Sequence, residues 1–97
     1  ENEPGSSGRA YLDPVSGRVW VTVRNLPEVG EGETYQLWLI GSGGPMSAGL
    51  FKTTADGRGE IWVTNVADLA EYAAVGVSRE RAGGSQQPTQ VVVAGGG

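Results

Sequence analysis

The chain has 97 residues, a formal net charge of −4, 38% apolar and 19% charged residues, 17 Gly and 5 Pro, and neither His nor Cys. That length allows one modest core and no interdomain cleft. The missing His and Cys exclude zinc fingers, blue copper, haem ligation by those residues, iron–sulfur clusters, disulfide scaffolds and Cys or Ser-His-Asp nucleophiles.

Seven scattered basic residues argue against a nucleic-acid surface. No apolar run approaches the ~18 residues needed to span a bilayer. In chain order, Glu1 to Arg9 reads as a linker, because Pro4-Gly5-Ser6-Ser7-Gly8 has nothing to bury. Ala10-Tyr11-Leu12 is a short strand, and Asp13-Pro14-Val15-Ser16-Gly17 turns the chain. Arg18 to Arg24 alternates cleanly, with Val19, Val21 and Val23 on one face and Trp20, Thr22 and Arg24 on the other. Pro27 ends it, and Glu28 to Glu33 is an acidic loop. Thr34 to Ile40 sets Tyr35, Leu37 and Leu39 against Gln36, Trp38 and Ile40. Apolar groups on both faces predict a central strand that is partly covered on its second side. Gly41 to Pro45 reads as a loop. Ala48 to Thr54 and Glu60 to Thr64 read as strands joined at the hairpin dipeptide Asp56-Gly57. Val66 to Tyr72 supports one or two helical turns. Ala73 to Glu80 and Thr89 to Ala94 are the last strands, and Gly95 to Gly97 a frayed end. Turn signals every eight to twelve residues predict an all-β fold. The expected architecture is a two-layer antiparallel β-sandwich of about seven strands, Ig-like or fibronectin-like, with one short helical turn. Its expected core is Val21, Leu37, Leu39, Leu50, Ile61, Val63, Val75, Val77 and Val92.

Few side chains suggest chemistry. Trp20, Trp38 and Trp62 all lie in predicted strands, where aromatics serve as packing. A flat exposed row of them could instead stack on sugar rings, which gives a second functional reading: a carbohydrate-binding or adhesive module. A glycosidase needs two carboxylates held ~5–9 Å apart in a cleft, whereas most acids here lie in predicted turns, where acids are simply solvated. Asp56-Gly57-Arg58-Gly59-Glu60 is too short and too poor in oxygen ligands for a calcium loop. Gly83-Gly84-Ser85 lacks the Lys-Ser/Thr ending of a phosphate loop and leads into a strand. No serine has a base to activate it. No catalytic, cofactor or metal residues are therefore assigned, and no enzyme activity is expected.

The segment Ala74 to Thr89 (AVGVSRERAGGSQQPT) resembles the V-T-x-E-P-x-G-G-S-x-x-P-T signature of the anti-sigma-K factor (RskA) C-terminal domain. Tyr11-Leu12-Asp13-Pro14 is similar to that family's opening. Leu26-Pro27 with Thr34-Tyr35-Gln36-Leu37-Trp38-Leu39-Ile40 resembles its L-P and Y-Q-L-W-L-I core. Ala48-Gly49-Leu50-Phe51 and Asp56-Gly57-Arg58-Gly59 match its next hairpin. The resemblance runs from about Tyr11 to Gly95. It singles out Tyr35, Gln36, Leu37, Trp38, Glu80, Gly83, Gly84, Ser85, Pro88 and Thr89 as its structural motif. Arg81 departs from it, standing where the family has Pro.

The resemblance implies a non-catalytic, extracytoplasmic sensor or gating domain of a single-pass, membrane-anchored bacterial anti-sigma factor. Residues 1–9 would be the linker from a membrane helix, 10–95 the ectodomain and 96–97 a disordered tail. The sigma factor would be met only by a cytosolic region outside this chain, and site proteases would act on the full-length protein. No nucleic acid is expected as a partner, and contact with the membrane only through the tether. Residues 83–89 are expected to be an ordered connection anchored by Glu80. That carboxylate would accept backbone N–H groups from a tight glycine turn, with positive φ at Gly83 or Gly84.

Overall fold

The computed structural model describes residues 7–89 and 91–96, the last five by backbone alone. Seven strands form in chain order: β1 Ser7–Asp13, β2 Arg18–Arg24, β3 Glu33–Gly41, β4 Gly44–Phe51, β5 Gly59–Val63, β6 Tyr72–Arg81 and β7 Val91–Gly96. A 3-10 turn, Leu69–Glu71, precedes β6. The strands make two antiparallel sheets, ordered β1-β2-β5 and β4-β3-β6-β7. The chain crosses between sheets after β2, β4 and β5. The architecture is the expected sandwich. A constant-type immunoglobulin domain places its fourth strand on the sheet of the first two; here β4 lies beside β3 in the other sheet.

The strand alternation builds the core. Val19, Val21 and Val23 of β2 face Tyr35, Leu37 and Leu39 of β3 and Val75 and Val77 of β6, all buried. Ile61 and Val63 of β5 are half-buried and pack against them. The side chain of Val92 lies outside the described residues. Leu50 is a correction: it is 44% exposed, and its neighbour Phe51 is the buried one. Phe51 pairs with Tyr35, whose side chain points inward, whereas Leu50 pairs with Gln36 on the outer face. Two adjacent apolar residues in a strand cannot both face the core, and the larger one takes it.

The connections close the ends of the sandwich. Asn25 and Asn65 adopt left-handed backbone, which Asn tolerates, and turn the chain back after β2 and β5. Leu26 and Val29, in a stretch whose charges suggest a solvated loop, drop into the core. The Tyr35 hydroxyl donates to the Pro27 carbonyl at 2.5 Å and holds that crossing in place. Leu69 of the 3-10 turn is buried at 2% exposure.

Several bounds and one pairing differ from expectation: β4 is Gly44–Phe51 rather than Ala48 to Thr54, and the helical turn shrinks to Leu69–Glu71. β1 starts at Ser7, so residues 7–9, linker-like in composition, pair with β2. An edge strand needs only backbone partners, and β1 turns just Leu12 toward the core. β7 runs to Gly96, which pairs with Ala74, where a frayed tail is expected. Gly41 to Pro45 is a tight hairpin, since β3 and β4 pair up to Gly41↔Gly44. Asp56-Gly57 does make a turn, with Gly57 N–H on the Thr54 carbonyl and Gly57 at φ 84°. However, it carries the chain from one sheet to the other, because β4 and β5 do not pair.

Candidate functional site

Sequence reasoning marks two places, and the fold puts them on opposite outer faces. The first is the outer face of the four-stranded sheet. Strand alternation sends Gln36 and Trp38 of β3 and Ser78 and Glu80 of β6 to that side. Register places Gln36 beside Ser78, and Trp38, two residues further along β3, beside Gly76. These four side chains are nonetheless buried, Trp38 at 1% and Glu80 at 3% exposure. The segment after β6 folds back over them.

The polar groups under this cover are satisfied in sequence. The Trp38 indole N–H donates to Ser78 Oγ at 2.7 Å, and Ser78 Oγ donates to Glu80 Oε2 at 2.5 Å. Thr89 N–H also reaches Oε2, at 2.8 Å. The hydroxyls of Ser85 and Thr89 reach Oε1, at 2.8 and 2.7 Å. Four donors thus fill the acceptor sites of one carboxylate. Burial pushes the Glu80 carboxyl up, but these hydrogen bonds outweigh it and hold the group below its ordinary value of 4.5. The backbone donor is Thr89, at the far end of the segment, rather than the glycine turn.

Gln36 makes the second tie. Its Nε2 donates to the Ser85 carbonyl at 3.1 Å and to Ser47 Oγ at 2.6 Å, and its Oε1 accepts Ser85 N–H at 2.9 Å. Gly83 and Gly84 both have positive φ, 92° and 84°, and Gly84 N–H closes a turn on the Arg81 carbonyl. A Cβ on Gly84 would lie 2.9 Å from Leu50 Cδ2 and 3.0 Å from Gln36 Oε1. Of the motif residues, Gln36, Trp38, Glu80, Ser85 and Thr89 therefore meet in one network, and Gly83 and Gly84 shape its cover. Pro88 sits half-buried in the same segment. Tyr35 and Leu37 point the other way, into the core.

The second place is the outer face of the three-stranded sheet. Tyr11, Trp20 and Trp62 are in register across β1, β2 and β5. Their rings stack, Tyr11 on Trp20 at 5.0 Å and 22°, Trp20 on Trp62 at 4.9 Å and 13°. These separations match the spacing between strands, so the rings stand upright and face one another. Trp20 Nε1 donates to Glu60 Oε2 at 2.7 Å. This geometry corrects the sugar platform. Trp38 is on the other sheet and buried, and both faces of Trp20 are covered by its neighbours. Trp62, 62% exposed, keeps an outer face at the sheet edge. Tyr11 was missed as a member of the row, because only the β1–β2 register sets it beside Trp20. The residues beyond the row, Arg9, Arg24, Lys52 and Arg58, line a groove that no motif in the sequence announces.

In the covered network the hydroxyls of Ser78, Ser85 and Thr89 all donate to Glu80, so that carboxylate is taken up by the latch itself. Among the described residues, no three of His, Cys, Asp and Glu gather as metal ligands would. Thr54 Oγ1 donates to Asp56 in the short acidic turn, so that carboxylate is used locally.

The fold is a β-sandwich in which a buried polar network ties the segment after β6 to the outer face of the four-stranded sheet. The chain matches the family described as anti-sigma-K factor, C-terminal, over residues 1–93, and it belongs to that family. Membership implies a regulatory domain of an anti-sigma factor, with a sigma factor as partner of the whole protein. No curated protein and no solved structure matches the chain. Among the described residues, no helix is long and apolar enough to cross a membrane.

Proposed function

We propose that this chain is the extracytoplasmic, non-catalytic gating domain of a membrane-anchored anti-sigma factor. In this reading the chain ahead of β1 leads back to a membrane helix, and the sigma factor is held by a cytosolic region on the other side. The folded sandwich restricts access of site proteases to the tether. Stepwise cleavage then releases the sigma factor and changes transcription. The observation that carries the reading is the family match over nearly the whole chain. The segment latched over β3 and β6 by Gln36 and Glu80 supports it, as a hydrogen-bonded element whose attachment a signal or partner could bias.

The test has two arms. Purified domain is titrated against the cognate sigma factor, and no binding is expected; micromolar affinity would place the two on the same side of the membrane and overturn the topology. In the full-length protein, Leu37→Ala should change basal output of a sigma-dependent reporter by unfolding the body. Glu28→Gln and Glu31→Gln, in the acidic loop, should leave it at the wild-type level. Unaltered output from Leu37→Ala overturns the gating.

A further inference from the structure

Beside the upright aromatic row, the outer face of the β1-β2-β5 sheet carries an open groove of about 840 Å³. Tyr11, Trp20 and Thr22 line it together with Arg9, Arg24, Lys52 and Arg58. Those are four of the seven basic residues of a chain whose net charge is −4. The one acid among its described lining residues, Glu60, already accepts the Trp20 indole N–H. Among the described residues, no ion pair involves Arg9, Arg24 or Lys52. Arg58 meets Asp56 at 3.8 Å, with both side chains mostly exposed, a pairing of little energy. Among the described residues, the Lys52 ammonium reaches the Gly30 carbonyl, at 3.4 Å.

We propose that this groove docks an acidic, extended peptide segment of a protein partner. Charge sets the sign of the occupant: a cationic trough on an acidic body attracts anions locally and repels them elsewhere. The rings select its class. Sugars and nucleobases bind aromatic side chains through ring faces, and here Trp20 and the inner faces of Tyr11 and Trp62 are stacked against one another. Trp20, covered on both faces, has only its edge left to present to the groove, the positive rim of the aromatic quadrupole, which suits carboxylates. Aspartate and glutamate on an extended backbone reach separate guanidinium forks in paired fashion. From Ser7 to Tyr11 the groove runs about 13 Å along β1, the reach of about four extended residues. The proposal stands apart from the gating reading, since it concerns the surface and not topology.

The test is fluorescence anisotropy of a dye-labelled Glu-rich peptide titrated with the 97-residue domain at low salt. Binding is expected, weakening steeply as salt is raised. Arg24→Glu should weaken it roughly tenfold or more, as should Arg9→Glu on the exposed edge strand. Arg81→Glu makes the same change in net charge at the end of β6, in the other sheet, and should bind as wild type does. Thermal melts of all three variants establish that each is folded. An absent anisotropy change overturns the proposal, and so does equal loss in Arg81→Glu, which would reduce the effect to net charge. Tighter binding of polygalacturonate or oligothymidylate than of the peptide would overturn the peptide assignment.

Discussion

Gln36 and Ser85, 49 positions apart, exchange two hydrogen bonds in which the Gln36 side-chain amide pairs with the Ser85 backbone N–H and carbonyl. The amide behaves as one residue of an extra strand laid across the outer face of the sheet. The Tyr-Gln-Leu-Trp and Gly-Gly-Ser segments, far apart in the chain, are thereby parts of one latch. Removing the amide strands two backbone groups under cover. Gln36→Ala should lower unfolding free energy by about 1–3 kcal/mol. Hydrogen exchange at residues 83–89 should accelerate, while β2 amides stay protected. Urea unfolding and amide exchange measure the two effects.

The latch is also sensitive to acid. Burial raises the Glu80 carboxyl, yet the bonds from Ser78, Thr89 and Ser85 bring it net below 4.5. A carboxyl whose folded value is depressed adds stability above its unfolded value and loses it as pH falls through the folded one. Stability should therefore begin to drop near pH 4.5 and continue to fall below it. Asp13, held low chiefly by the Ser16 hydroxyl, and Asp56, held low chiefly by the Thr54 hydroxyl, act in the same direction. Glu80→Gln isolates the Glu80 share. It sets an amide donor against hydroxyl and N–H donors, so it should cost about 1–3 kcal/mol at pH 7 and flatten the acid limb. Denaturant midpoints from pH 3 to 7 report both.

The two glycines of the latch should differ in cost. Both have positive φ, which for an L-residue costs about 1–2 kcal/mol. A Cβ on Gly83 meets open space, whereas one on Gly84 meets Leu50 and Gln36. Gly84→Ala should thus be the more destabilising in thermal melts, and it alone should speed exchange at Ser85.

Core position should separate two leucines that look alike in the sequence. Leu37 is fully buried between the sheets, and Leu37→Ala should cost about 2–5 kcal/mol. Leu50 lies under Gly84 on the outer face and is 44% exposed. Leu50→Ala should cost less than half as much, by urea midpoint.

Much of this arrangement is written locally. The alternation of Val19, Val21 and Val23 and the double apolar character of β3 are enough for a sandwich with a covered central strand. Trp38 on the second face carries a further signal, since a buried indole N–H needs an acceptor, and Ser78 supplies it. What local pattern cannot supply is register and the choice between sheets. Leu50 against Phe51 depends on which one sits beside Tyr35. Asp56-Gly57 makes the same turn whether its flanking strands pair or part. Leu26 and Val29 are buried by the crossing they lie on, not by any period of their own. The cationic groove gathers Arg9, Arg24, Lys52 and Arg58 from four separate stretches, so only the assembled sheet brings them together.

Among the described residues, β1 has one neighbour, β2, and turns only Leu12 toward the core. Tension drawn through Ser7, away from the sheet, would meet the ladder one rung at a time, beginning with Ser7↔Arg24. That is unzipping rather than shear, and it leaves the β4-β3-β6-β7 sheet and its latch intact. Peeling the 7-residue strand as far as Asp13 would add about 23 Å of free polypeptide on the N-terminal side. The molecule thus carries a short reserve of slack that could be paid out under load without melting the body.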